Sequence, residues 1–96
     1  SEAEKAEADK KRQEKERRRW LAQMEKASIE AEYWSALDAY NSNEKTLESY
    51  SPEMIGMMPD EFVRALIKKD ELRFNLDLAE DKRRRLYAGK SYHESA

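Results

Sequence analysis

Side chains that could perform catalysis are scarce in this chain of 96 residues. There is one histidine, His93, which lies on a polar tail, and there is no cysteine. Triads of the Ser/His/Asp or Cys/His kind need a positioned base. Carboxylates are plentiful, but a general acid needs a concave, partly dry site to raise its pKa, which two helices and a short connection rarely form. We therefore expect a protein that is not an enzyme and has no small-molecule substrate.

Metal and cofactor chemistry has equally little support. One histidine and no thiolate leave only carboxylates, which would hold magnesium or calcium weakly. The chain has no glycine-rich phosphate loop and no carboxylate spacing of the calcium-loop kind. We expect no metal and no cofactor.

Two clusters of basic residues stand next to aromatic residues and could bind a polyanion. Arg17, Arg18 and Arg19 precede Trp20. The second cluster consists of Lys82, Arg83, Arg84, Arg85 and Lys90. Consecutive arginines point around a helix rather than to one side, and those near a helix C-terminus are favoured by the helix dipole without any ligand. Because the net charge is only −2, nucleic-acid binding is our second hypothesis.

Binding to another protein is our first hypothesis. Tryptophan and arginine are the residue types most often found as interface anchors, and they meet where Arg17 and Arg18 approach Trp20. Methionines on a connection form either an adaptable binding surface or part of an irregular core. The residues predicted to contact a partner are Arg17, Arg18, Trp20, Met24, Met57 and Met58.

Helices must position these residues. A charged fraction of 42% with two glycines and two prolines is typical of long helices and unlike a sandwich or barrel, which needs many turns. No run of about eighteen apolar residues is present, so we expect no membrane span. Without cysteine or a signal peptide, a soluble cytoplasmic protein is the default expectation.

The first predicted helix runs from about residue 3 to residue 40. Residues 1–19 contain alanine as their only apolar type and are predicted to form a charged helix or arm that projects from the hairpin domain, residues 20–96. In residues 20–40 an apolar face is predicted, with Trp34 in the core of the hairpin. This face comprises Trp20, Met24, Ala27, Ala31 and Trp34, widened by Leu21, Tyr33, Leu37 and Tyr40. Residues 41–43, Asn-Ser-Asn, are expected to end the helix, although it could continue through them.

The connection and the second helix carry clear local signals. Ser51 and Pro52 predict a short helix that Gly56 ends, and Pro59 starts the next helix, which Gly89 terminates. Four apolar residues of the connection are predicted to fill the core: Met54, Ile55, Met57 and Met58. The second long helix, residues 60–88, has two neighbouring apolar rows, one of Val63, Ile67, Phe74 and Leu78, the other of Leu72, Leu76, Ala79 and Leu86. Two rows make a face too wide for one neighbour, so contact with a second element or subunit is expected.

Charge is distributed unevenly along the chain. Residues 1–19 carry a net +2, residues 20–61 a net −7 and residues 62–96 a net +3. An acidic middle and a basic final third favour pairing of the two helices. We therefore predict an all-α protein with a long N-terminal and a long C-terminal helix in an antiparallel hairpin, a short Met-rich connector, and possible coiled-coil or oligomeric packing. Its expected role is that of an assembly, adaptor or inhibitory accessory protein.

Overall fold

The computed structural model describes residues 1–89 and contains three helices over that range. Helix α1 spans Glu2–Glu48, α2 spans Pro52–Met57 and α3 spans Pro59–Tyr87. The two long helices pack against each other in opposite directions, which confirms the predicted all-α antiparallel hairpin with a short connection. The molecule is a rod that measures 82 × 22 × 17 Å.

Local sequence signals set most of the helix ends. The Ser1 hydroxyl accepts a hydrogen bond from the Glu4 amide at 3.2 Å, and the Ser51 hydroxyl accepts one from the Met54 amide at 3.1 Å. Both serines satisfy amides that have no partner within the helix. Gly89, with φ of +78°, follows the end of α3 in the left-handed conformation that glycine adopts without strain. The predicted helix ends at Ser51 and Gly89 are confirmed, and the Ser1 cap places the start of α1 at Glu2, one residue before the predicted start at about residue 3.

The predicted end of α1 at residues 41–43 is wrong, because the helix continues to Glu48. Asn43 is buried, and its side-chain Nδ2 donates to the Ala65 carbonyl of α3 at 3.0 Å. The amide that was expected to disrupt the helix is used to join it to its neighbour. Packing between the helices therefore overrides the low helix propensity of this segment.

The prediction that Gly56 ends α2 is also wrong. The helix runs one residue further, to Met57, and Met58 has φ of −133° and ψ of 57°. A residue that precedes proline is disfavoured in the helical conformation. Pro59 therefore stops α2 at this point and starts α3.

The buried faces of both long helices follow a spacing that alternates between three and four residues, as in a coiled coil. We call these two faces the hairpin seam. On α1 the seam comprises Ile29, Tyr33, Ala36, Tyr40, Asn43 and Leu47. On α3 it comprises Phe62, Ala65, Lys69, Leu72, Leu76, Ala79, Arg83 and Leu86.

The seam differs from the predicted core. Its α3 side contains the predicted row that ends in Leu86, with Leu76 only 2% exposed. On α1, however, the seam is rotated away from the row of Trp20 and Trp34, so the predicted core position of Trp34 is wrong. That side chain is 55% exposed. The small, half-buried Ala36 takes a central place in the seam instead.

The connection covers one end of the hairpin. The Tyr50 and Phe62 rings lie 5.4 Å apart, between the end of α1 and the start of α3. Met54, Ile55 and Met58 are half-buried there, as expected of residues that fill an irregular core. Met57 was predicted to join them, but it is 81% exposed, because it occupies the outward side of α2.

Candidate protein-binding surface

The first half of α1 has no neighbour among the described residues. Burial on α1 begins at Glu25, close to the level at which α3 ends, and every residue from Ser1 to Met24 is exposed. The helix itself is continuous through residue 19, so the division of the chain at that residue stays a prediction. The charged arm projects from the hairpin as an uninterrupted extension of α1.

Large apolar side chains lie uncovered where the arm meets the hairpin. Trp20 is 58% exposed, and Leu21 and Met24 are also exposed. Ala27 and Ala31 continue the same line along α1 to Trp34. We call the line of Trp20, Leu21, Met24, Ala27, Ala31 and Trp34 the α1 ridge. It faces away from the seam, so closing the hairpin does not cover it.

Arginines border the ridge at its N-terminal end. Arg17, Arg18 and Leu21, with Glu14, line a shallow groove on the arm. The Arg18 Nε lies 3.5 Å from the Glu14 carbonyl one turn earlier. Neither Arg17 nor Arg18 forms an ion pair within residues 1–89. The structure therefore brings four of the predicted partner-binding residues, Arg17, Arg18, Trp20 and Met24, onto one short stretch of helix.

Met57 and Met58 lie elsewhere. They follow the end of α1, whereas Trp20 precedes that end by 28 residues, or about 42 Å of helix. The six residues predicted to contact a partner therefore do not form one site. Their division into an arm group and a connection group follows from the length of α1.

The second basic cluster is occupied by carboxylates of the same chain. Lys82 Nζ lies 2.9 Å from Glu32, and Arg83 Nε lies 3.0 Å from Glu30. Arg84 and Arg85 both contact Asp81, the latter at 2.8 Å. Lys90 lies outside the described residues. A phosphate would compete with these carboxylates, so the cluster is a weaker polyanion site than its sequence suggests.

Arg83 is the centre of a group of side chains that closes the open end of the hairpin. Its guanidinium lies over the rings of Tyr33, Tyr87 and Trp34, with distances of 4.7, 5.2 and 5.8 Å to the centroids. A guanidinium over an aromatic face is attracted by the negative charge of the π-system. The arginine that was predicted to bind a polyanion therefore holds α3 to α1.

Glu30 completes this group by accepting three hydrogen bonds. They come from the Tyr87 hydroxyl, from Arg83 Nε at 3.0 Å and from the Trp34 indole Nε1 at 3.0 Å. The hydrogen bond from Tyr87, followed by those from Arg83 and Trp34, lowers the pKa of Glu30 below its ordinary value. The same carboxylate raises the pKa of Tyr87 and of Arg83. The Trp34 ring is thus held in a fixed orientation while most of its surface stays exposed.

Glu30, Glu32 and Asp81 were missed by reasoning from the sequence. Each is one carboxylate among many, and the partners of Glu30 on α3 lie 53 and 57 residues away. The sequence did contain one signal for these pairs. In an antiparallel pair of helices, a later residue on one helix contacts an earlier residue on the other. Thus Lys69 contacts Glu44 at 3.2 Å, and Lys82 contacts Glu32. Aligning the acidic middle against the basic final third in this way predicts both pairs.

No group of acidic or histidine side chains in residues 1–89 is arranged to hold a metal ion. None of the helices in that range has an apolar stretch that would cross a bilayer.

Comparison of the chain with protein-family models, with curated proteins and with solved structures finds no match. The exposed apolar surface of α1 is therefore the feature of residues 1–89 that bears most directly on function.

Proposed function

We propose that this chain is a non-enzymatic protein-interaction module that binds a partner through the α1 ridge. The observation that carries the proposal is the exposure of Trp20, Leu21 and Met24 together on a helix that has no intramolecular neighbour there. Large contiguous apolar patches are uncommon on monomeric proteins, and where they occur they often mark sites of association. Trp20 is the expected anchor.

The surroundings of the ridge indicate the chemistry of the partner. A helix that presents apolar groups at intervals of three and four residues fits an apolar groove or the apolar face of another helix. Arg17 and Arg18 at its edge favour a partner with carboxylates around that groove, which would steer association and set the orientation. An assembly, adaptor or inhibitory role is compatible with this mode of binding.

Nucleic-acid binding has less support as an alternative. Lys82, Arg83, Arg84 and Arg85 already contact carboxylates, and Arg83 is needed to close the hairpin. What remains is the short run of Arg17 to Arg19 on the arm. Three arginines that point around a helix give few phosphate contacts, so retention on DNA at low salt should be slight.

Site-specific photocrosslinking tests the proposal. A photoreactive phenylalanine analogue replaces Met24 in one variant and Lys45 in another, and both are expressed in the organism of origin. Lys45 is a matched control, because it lies 21 residues later on the same side of α1, where no apolar residue is exposed. We expect a discrete adduct from position 24 that is absent from position 45 and is lost when Trp20→Glu is added.

Two further variants separate the hypotheses. The double variant Arg17→Glu/Arg18→Glu should lower the yield of the adduct without abolishing it. Charges at the rim of an interface affect the rate of association more than the stability of the complex. Equal adducts from positions 24 and 45, or an adduct that is insensitive to Trp20→Glu, would contradict binding through the ridge. Adducts that disappear on nuclease treatment would favour the alternative.

A further inference from the structure

The two tryptophans at the ends of the α1 ridge are almost equally exposed but differ in how they are held. Trp20 is 58% exposed and Trp34 is 55% exposed. Within residues 1–89 the Trp20 indole donates no hydrogen bond, and no aromatic ring or cation lies against it. The indole of Trp34, in contrast, has polar and aromatic neighbours. The two side chains therefore differ in restraint and not in exposure.

Three neighbours restrain Trp34. Its indole Nε1 donates a hydrogen bond to Glu30 Oε2 at 3.0 Å. The ring of Tyr33 meets the indole edge to face, with 5.1 Å between the centroids, and the Arg83 guanidinium lies 5.8 Å from the indole centroid. The hydrogen bond to Glu30 fixes the direction of the ring, because it acts at one atom and depends on angle.

The carboxylate of Glu30 bridges the two helices with its two oxygens. Oε2 accepts from Trp34 of α1, whereas Oε1 accepts from Arg83 Nε at 3.0 Å and from the Tyr87 hydroxyl, both of α3. Alone on a helix surface, a glutamate has several rotatable bonds, and its hydrogen bonds compete with water. The two donors from α3 hold the carboxylate so that Oε2 faces the indole. The orientation of Trp34 therefore depends on α3.

Both α3 donors stand at the end of their helix. Helix α3 ends at Tyr87, which is 59% exposed, and Arg83 precedes it by about one turn. The final turn of a helix opens more readily than its middle, because fewer buried contacts hold it. Opening of this turn withdraws the Tyr87 hydroxyl from Glu30. The state of the last turn of α3 is thereby transmitted to a side chain of the ridge on α1.

We propose that Glu30 is a positioning residue through which the docked end of α3 holds Trp34 in the orientation that binds a partner. This proposal rests on the proposed function, since it concerns the regulation of the same ridge. An ordered side chain loses less conformational entropy on binding. Coupling between two equilibria is reciprocal, so closure of the hairpin end favours binding and binding favours closure. Tyr87 acts in this scheme through Glu30.

Nuclear magnetic relaxation of the two indole N–H groups tests the restraint in the free chain. Trp20→Phe and Trp34→Phe assign the two signals. We expect an order parameter near that of rigid backbone, about 0.85, for Trp34 and a value below about 0.6 for Trp20. Because the two side chains are equally exposed, Trp20 is an internal reference for a ridge tryptophan without a tether. Equal order parameters in the wild type would overturn the proposal.

Deletion of one hydroxyl tests the dependence on α3. Tyr87→Phe keeps the ring but removes a donor to Glu30, so the order parameter of Trp34 should fall towards that of Trp20. Tyr33→Phe is the matched control, because the Tyr33 hydroxyl belongs to the same group of side chains and forms no hydrogen bond within residues 1–89. Circular dichroism checks that both variants keep their helices. A Trp34 order parameter that Tyr87→Phe leaves unchanged would contradict transmission from α3.

A change at the bridge itself should have a larger effect. Glu30→Gln keeps the size of the side chain, but an amide accepts hydrogen bonds at its oxygen only. It therefore cannot accept from Trp34 at one end and from Arg83 at the other. Trp34 should become as mobile as Trp20, whose own signal should not change.

Hydrogen exchange tests the reverse direction. Trp34→Phe removes the indole donor from Glu30, so the backbone amides in the last turn of α3 should exchange faster than in the wild type. Trp20→Phe is the control and should leave these amides unchanged. Identical exchange in the two variants would mean that the ridge and the end of α3 are not coupled.

Photocrosslinking connects the restraint to binding. With the photoreactive analogue at position 24, Tyr87→Phe should lower the adduct yield per chain by roughly 2- to 10-fold, the range that one hydrogen bond contributes, and Tyr33→Phe should not. Equal yields from these two variants would overturn the coupling while leaving the ridge as the binding surface. Absence of any adduct from the otherwise unaltered chain would reject the proposed function instead, and the relaxation data would still decide whether α3 positions Trp34.

Discussion

At the open end of the hairpin, three side chains donate hydrogen bonds to one carboxylate, that of Glu30. Two of them, Arg83 and Tyr87, belong to α3, and the third, Trp34, belongs to α1. The group therefore links the closure of the hairpin to the orientation of an exposed tryptophan on the α1 ridge. Without the carboxylate, the half-buried Arg83 would lose its only ion pair within residues 1–89.

The lowered pKa of Glu30 predicts a loss of stability in acid. The hydrogen bond from Tyr87 is the largest cause, and the ordinary value is 4.5. A carboxyl group whose folded pKa lies below its unfolded pKa stabilises the fold fully above the unfolded value, and this contribution disappears as pH falls through the folded value. The urea midpoint should therefore fall as pH drops below about 4.5.

A Glu30→Gln variant isolates this contribution. Its urea midpoint should be lower than that of the wild type at pH 7, and the difference should shrink as both proteins approach about pH 3. Glu32→Gln is the control for a more exposed carboxylate that pairs with Lys82. A difference between Glu30→Gln and the wild type that stays constant over this range would show that the charge of Glu30 does not link the helices.

At the scale of the helices, local signals were readable from the sequence and long-range ones were not. Ser51 with Pro52, Pro59 and Gly89 fix helix ends through the backbone of the next few residues, so their effect needs no knowledge of the fold. Asn43 behaves differently because its amide finds the Ala65 carbonyl across the seam. That partner lies 22 residues away, and only the pairing of the helices supplies it.

The face of α1 that is buried could not be predicted from the local sequence for the same reason. Residues 20–40 contain two possible apolar faces, and the larger side chains lie on the one with Trp20 and Trp34. The hairpin uses the other face, where Ala36 is half-buried and, further along α1, Glu30 pairs with Arg83 and Glu44 pairs with Lys69. Size and periodicity identify both faces, but only the complementary helix decides between them. The exposure of the α1 ridge follows from this choice.

A comparison of two leucines on α3 tests which row is the core. Leu76 is 2% exposed and Leu78 is 48% exposed, although they stand two residues apart. Leu76→Ala should lower the free energy of unfolding by about 2 to 5 kcal/mol, as for a buried leucine that leaves a cavity. Leu78→Ala should cost less than about 1 kcal/mol.

Both variants are compared by urea unfolding at one protein concentration. Equal losses of unfolding free energy for Leu76→Ala and Leu78→Ala would mean that Leu76 is no more buried than Leu78. The hairpin seam would then be wrong.

At the scale of the whole molecule, the shape follows from the unequal lengths of the helices. Helix α1 has 47 residues and α3 has 29, and the additional length of α1 projects as the arm. The radius of gyration is 22.5 Å, compared with about 12 Å for a compact domain of this length. Such a shape offers much surface and little core, which suits a protein that works by contact with others.

Removal of the arm should leave the hairpin intact. Residues 1–18 bury nothing in this chain, so a variant that begins at Arg19 should keep its free energy of urea unfolding within about 0.5 kcal/mol. The helical signal in circular dichroism should fall in proportion to the residues removed. A loss of more than about 1 kcal/mol would mean that the arm packs on its own hairpin.

The chain folds without covering either of its two tryptophans, and tryptophan fluorescence measures this exposure directly. The variants Trp20→Phe and Trp34→Phe leave one indole each, in a chain that has two. At concentrations where the chain is free of partners, each remaining indole should emit near the wavelength of tryptophan in water. Acrylamide should quench both readily. Blue-shifted emission and protection from acrylamide in either variant would contradict the exposed α1 ridge and the binding function argued from it.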